Sequence, residues 1–179
     1  MTPAAIGPAR EADADRLSRL AAATFPLACP PSTPQADIDR HIRTELGASR
    51  FRELLSTPGI ELHVADDGGV LVGYLMIVTE GGDAPALPGN RPVELRRIYV
   101  DPSRHGRGVA DALMARAVDR AREHGADCLW LGTNQQNARA LSFYRRHGFT
   151  EIGTRTFRVG SSIECDFVLA RSVADPRNE

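Results

Sequence analysis

The chain contains no lysine: all 22 of its basic residues are arginine. That absence fits a GC-rich source genome and says little about chemistry. Cysteine is scarce. Cys29, Cys128 and Cys165 form an odd, scattered set without metal-ligand spacing, which fits free thiols in a reducing cytoplasm. No His, Asp or Glu cluster supplies a metal site, so none is expected. No apolar run is long enough to span a bilayer. Residues Met1–Ile6 lack the basic and apolar regions of a secretory signal. These absences lead to the expectation of a cytoplasmic protein with no membrane partner. At a net charge of −1 the whole chain shows no nucleic-acid footprint. Internal repeats and linkers are also missing. At 179 residues the expectation is one domain over 1–171, with 172–179 as a flexible polar tail.

Charge is unevenly spread. Residues 1–94 hold 13 acids and eight arginines, a net of −5; residues 95–179 hold 10 acids and 14 arginines, a net of +4. An anionic cofactor on the second half and a cationic substrate on the first would fit this, as would chance solvated faces.

The pattern of apolar residues reads β-α-α-β-β-β-α-β-α-β-β, a mixed α/β domain. Ala4–Ala9 begins it as a strand, and helices follow over Arg10–Phe25, Gln35–Leu46 and Ser49–Leu55. Four prolines within Pro26–Pro34 predict a stiff irregular loop, either a pocket wall or a plain connector. Strands are expected over Ile60–Ala65 and Val70–Val78, joined by a hairpin turn at Asp66–Gly69. Gly73 marks a bulge or a close backbone approach. Gly81–Pro92 reads as a mobile loop. Val93–Asp101 is the central strand, Cys128–Gly132 a buried one, Gln135–His147 a helix stopped by Gly148, and Phe149–Phe157 and Ile163–Ala170 the last strands.

One segment, Arg96 to Asp111, joins a strand to a helix through His105-Gly106-Arg107-Gly108. A glycine-rich turn opening a helix aims free N–H groups and the positive dipole end at one point, which suits a phosphate. An ordinary strand–helix turn would look the same. No Gly-Lys-Ser/Thr follows, so it is not a P-loop, and Asp111 stands where a dinucleotide fingerprint needs its third glycine.

The run His105-Gly106-Arg107-Gly108-Val109-Ala110 resembles the pyrophosphate loop of the GCN5-related N-acetyltransferases, Q/R-x-x-G-x-G/A, with His105 departing from its Gln or Arg. A second run, from Leu129 to Phe149, is similar to that family's N-x-x-A-x-x-x-Y-x-x-x-G-F at Asn137, Ala140, Tyr144, Gly148 and Phe149. The C-terminal strands look most like the polyamine-acetylating bacterial type. The resemblance implies a mixed sheet with splayed central strands, helices on both faces, and acetyl-CoA as co-substrate. It implies that backbone groups of Ile98, Tyr99 and Val100 hold pantetheine, that the N–H groups of Gly106 to Ala110 hold pyrophosphate, and that Asn137 meets the pantetheine arm. A helix N-cap is its alternative. Arg104 and Arg107 pair with phosphates or are solvated surface residues. Tyr144 is the implied general acid, or a packed aromatic.

Glu94 is the candidate base. It lies four residues before Ile98 and is expected on the same strand face; a salt bridge to Arg96 or Arg97 is the alternative. His63 and His41 are weaker candidates. The expected partner is the primary amine of a small molecule, with a polyamine leading because Asp37, Asp39 and Glu45 follow the proline loop. A homodimer has room in this reading, and nucleic acid has none. A non-catalytic acyl-CoA-binding regulatory domain is the competing class, and acetylation of protein N-termini or antibiotics a further alternative.

Overall fold

Strands of seven to eleven residues, most of them with an apolar stretch or face, build the bulk of a seven-stranded sheet. The computed structural model describes residues 4–80, 87, 89–159 and 162–174. Its strands are β1 (Ala5–Pro8), β2 (Ile60–Asp67), β3 (Val70–Val78), β4 (Pro92–Val100), β5 (Cys128–Asn134), β6 (Thr150–Val159) and β7 (Ser162–Ser172). They stand in the order β1-β2-β3-β4-β5-β7-β6. β4 and β5 run parallel, and every other neighbouring pair is antiparallel.

The sheet divides the core in two. On one face α1 (Ala14–Thr24), α2 (Gln35–Glu45) and α3 (Ala48–Ser56) bring Leu17, Ile38, Phe51 and Leu54 against Val64, Tyr74 and Met76. On the other, α4 (Val109–Glu123) and α5 (Ala138–Arg146) bring Leu113, Ala117, Leu141 and Tyr144 against Leu75, Ile77 and Leu131. Helices therefore cover both faces of a mixed sheet, as expected.

Most boundaries move by one or more residues from the expectation, and four of the changes bear on the site, the loops or the tail. Phe25–Ala28, the start of the proline loop, forms a 3-10 turn, because Pro26 at a first-turn position needs no N–H partner. The last helix begins at Ala138, since Asn137 caps it: its Oδ1 accepts the N–H of Ala140 at 3.1 Å. The final strand continues to Ser172, and Val173 is buried, so the expected tail is shorter at its start. Residues 175–179 of that tail lie outside the described residues, as do 81–86 and 88 of the expected loop, whose end, Pro92, belongs to β4.

Candidate active site

β4 and β5 pair over three residues only, Pro92 to Glu94 against Cys128 to Trp130. Beyond Glu94, β4 keeps its ladder with β3, while β5 turns to β7. The gap that opens has a local cause. Leu95 pairs with Ile77 and Arg97 with Met76, so Arg96 is an extra residue in the ladder, a β-bulge. A bulge swaps the faces of everything beyond it. Val93 and Leu95 point to the α4 side, and so do Ile98 and Val100 after the switch. The expectation that Glu94 shares a face with Ile98 is therefore corrected. Glu94 sits on the opposite side, with Arg97, Tyr99 and, across the sheet, Trp130.

The gap exposes backbone. Asp101 donates its N–H to Val72 O at 2.9 Å. In an antiparallel ladder alternate residues turn to the same neighbour. Tyr99 thus turns its peptide groups to β3, and Ile98 and Val100 turn theirs into the gap. His105 reaches one of them: its Nε2 lies 3.0 Å from Val100 O, closing the glycine turn onto the end of β4. Gly106 (φ 73°) and Gly108 (φ 78°) hold left-handed backbone, which their lack of a Cβ permits. Among the described residues the N–H groups of Gly106, Gly108, Val109, Ala110 and Asp111 have no backbone acceptor, and four of these residues open or cap a 15-residue helix. That is a cradle for a polyphosphate.

A single cleft of about 1160 Å³ runs through the gap. At one end it is lined by this turn, Arg104, Asn137, Ala140 and Tyr144. At the other it is walled by the proline loop, α2 and the inner faces of β4 to β7. Arg104 lines it but pairs with Asp67 at 2.8 Å; Arg107 is not among its lining residues. Tyr144 is buried against Phe143 and Phe149. Burial, and then the neighbouring Tyr99, push its hydroxyl well above the ordinary phenol range. The Tyr99 hydroxyl is pushed up to about 12, first by burial.

The acids divide differently from the expectation. Of Asp37, Asp39 and Glu45 only Glu45 lines the cleft. Asp37 is buried in α2, and Asp39 accepts from Gln35 at 2.8 Å. Glu94 lines it too, but its Oε2 accepts from Arg96 Nε at 3.0 Å and Nη2 at 2.6 Å, and Arg155 lies 3.7 Å from its Oε1. His41 stacks on Phe25 in the cleft wall, and burial lowers its basicity. His63 lies on the other face, between Glu61 and Arg116.

Asp166 is the residue that sequence reasoning missed. It faces the cleft from β7, 5% exposed, opposite Asn134. Burial raises its carboxyl above the usual range against the pull of Arg155, whose Nε is 3.6 Å away. Only the β5–β7 register places it there, and no local motif signals that register. The nearby cleft thiol, Cys29, is pushed up to about 11 by burial and is no nucleophile at neutral pH.

A parallel strand pair that parts over an anion-binding turn, with a buried phenol beside the gap, is the frame of an acyl-CoA-dependent N-acetyltransferase. The chain belongs to the acetyltransferase (GNAT) family, whose model matches residues 16–149. It is 42% identical to an uncharacterised N-acetyltransferase of Mycobacterium bovis over 90% of this chain and 98% of that one. It is 30% identical to the N-alpha-acetyltransferase RimI of Mycobacterium tuberculosis, over 97% and 96%. Among solved structures it resembles the PaiA N-acetyltransferase of Thermoplasma acidophilum in complex with coenzyme A. The TM-score is 0.75 at 18% identity, covering 96% of this chain and 99% of that one. The protein is thus an N-acetyltransferase that draws on acetyl-CoA.

Proposed function

We propose that the protein transfers the acetyl group by direct attack to the primary amine of a small molecule. One observation carries this reading: the glycine turn and the walled cup are two ends of one cleft, meeting where Ile98 and Val100 face the gap. In this reading Gly106, Gly108, Val109 and Ala110 hold the pyrophosphate through N–H groups, with Arg104 exchanging Asp67 for phosphate. Ile98 and Val100 bond pantetheine as a missing strand would, Tyr99 and His105 frame that edge, and Asn137 flanks it.

An alkyl ammonium with a pKa of ~10.4 costs about 4–5 kcal/mol to deprotonate at pH 7. A base in the cup lowers that burden. Glu94 has two guanidiniums on its oxygens and serves as their anchor. Asp166 is the better proton acceptor, being buried, less tightly paired and raised in basicity. The neutral amine forms the C–N bond, and its excess proton goes to Asp166. The oxyanion takes a gap-facing N–H. The C–S bond then breaks, and the departing thiolate accepts a hydrogen bond from Tyr144. No step uses a metal or a cysteine.

The polyamine expectation drew on the likeness of the C-terminal strands, on the acidic first half with Asp37, Asp39 and Glu45, and on Glu94 as base. Of those three acids only Glu45 lines the cleft, and Glu94 is held by two arginines. The reading therefore stops at a small primary amine.

Asp166→Asn tests it. CoA release with an amine panel should fall ~10²-fold or more. The wild-type rate should rise with pH through a limb above the ordinary carboxylate range, because the base acts deprotonated, and the Asn variant should lose that limb. A variant that keeps both rate and limb removes Asp166 from the chemistry.

A further inference from the structure

Beyond the amine itself, the cup contains a cation, Arg97, that no carboxylate of the described residues neutralises. Arg97 follows the bulge residue, so it points inward to the α1–α3 side, with its guanidinium 6.0 Å from the centroid of the Phe51 ring. It lines the cleft, yet its Nη1 is buried without a hydrogen-bond partner. Among the described residues no carboxylate lies within ion-pair distance of it. Two other cleft arginines are ion-paired: Arg96 with Glu94, and Arg155 with Glu94 and Asp166, although Arg155 Nε also lacks a hydrogen-bond partner. Glu45, the acid of α2 that lines the cleft, lies 3.9 Å from Arg50. Tyr74 also leaves its buried hydroxyl unpartnered. It stacks on Tyr99 at 5.7 Å, on the same face as Arg97, one strand away.

A buried donor left unmade is costly, and more so on a charged group. Such a group is retained where a ligand completes it. The missing ligand is an anion, and a planar guanidinium suits a carboxylate. Its position relative to the chemistry follows from the strand registers. Arg97 and Tyr99 on β4 share a sheet face with Glu94, which pairs with Trp130 on β5, and Asp166 on β7 lies on that same face. One face of the cleft therefore presents both a cation and a carboxylate.

Resting on the acetyl-transfer reading, we propose that the acceptor is a compact amino acid: Arg97 takes its carboxylate while Asp166 faces its ammonium. Such a ligand supplies the anion that Arg97 lacks and brings its ammonium to Asp166 in one molecule. A polyamine would set a second cation against Arg97 and is disfavoured by like charge.

The test is a panel of L-amino acids, each paired with its amide, which keeps the amine and removes the negative charge. Wild-type enzyme should acetylate its best amino acid about 100-fold more efficiently than the matching amide, the scale of losing one buried charge partner. In Arg97→Gln that ratio should fall to near ~1, and Arg97→Lys should restore part of it, since charge is kept and the fork is lost. CoA affinity, measured by calorimetry, should be the same in all three proteins. Amides or spermidine turned over as well as the acids, or a ratio unmoved in Arg97→Gln, overturns the carboxylate site while leaving acetyl transfer intact. Calorimetry of the best amino acid on the CoA complex separates the two readings. Arg97-dependent binding without turnover upholds the carboxylate site and removes the chemistry. Binding that ignores Arg97 removes the site.

Discussion

At the scale of single residues, the proposed reaction depends on proton affinities set apart. Burial holds the Tyr144 hydroxyl above its ordinary range, so it keeps its proton at neutral pH. A thiolate with a pKa near ~8.5 is too weak a base to take that proton outright. In the proposed reaction Tyr144 would therefore stabilise the leaving sulfur by a hydrogen bond rather than fully protonate it. Tyr144→Phe retains the ring packed on Phe143 and Phe149 and removes the donor. The expected outcome in CoA-release assays is a kcat ~10²-fold lower with little change in CoA affinity, the mark of an interaction made in the transition state. A kcat close to wild type would return Tyr144 to packing alone. Tyr144 and Asn137 line the cleft where the family motif implied, because one helix and its cap carry both residues at short range. Arg97 and Asp166 were not legible in the sequence, because strand register and a bulge decide where they point.

At the scale of elements, the bulge at Arg96 and the glycine at position 73 shape the gap together. Gly73 sits beside a second irregularity, where Ala65 pairs with Gly73 and Asp66 with Leu71. A Cβ at Gly73 would come within 2.9 Å of Leu113 Cδ1 and 3.1 Å of Tyr99 O. Its lack of a side chain lets α4 lie directly on the strand behind the gap. Sequence alone left bulge and close approach as alternatives; the structure contains both. Gly73→Val should push α4 off the sheet. We expect a loss of about 1–3 kcal/mol in denaturant unfolding, accompanied by weaker CoA binding as the glycine turn moves with its helix. Unaltered stability would mean that α4 does not depend on that approach.

At the scale of the whole molecule, the order of strands and helices was readable from hydrophobic period and turn residues, and the cofactor end from two local motifs. The acceptor end was not, because it is assembled from four strands, a helix and a loop that lie far apart in the chain. Net charge misled there: the acids counted in the first half mostly face away from the cleft, and arginines from the sheet meet the substrate space instead. Among the described residues no helix is long and apolar enough to cross a membrane. The proposed reaction requires that the gap between β4 and β5 take acetyl-CoA, its phosphates on the turn that opens α4. Gly108→Asp tests this most directly. A Cβ at Gly108 meets nothing within 4 Å, so the only cost to the fold is the left-handed backbone at φ 78°, which Asp tolerates better than most residues, while the carboxylate enters the phosphate space. Isothermal calorimetry should show the Kd for CoA raised at least ~10-fold, about 1.4 kcal/mol. A folded Gly108→Asp protein that binds CoA as tightly as wild type would contradict the account.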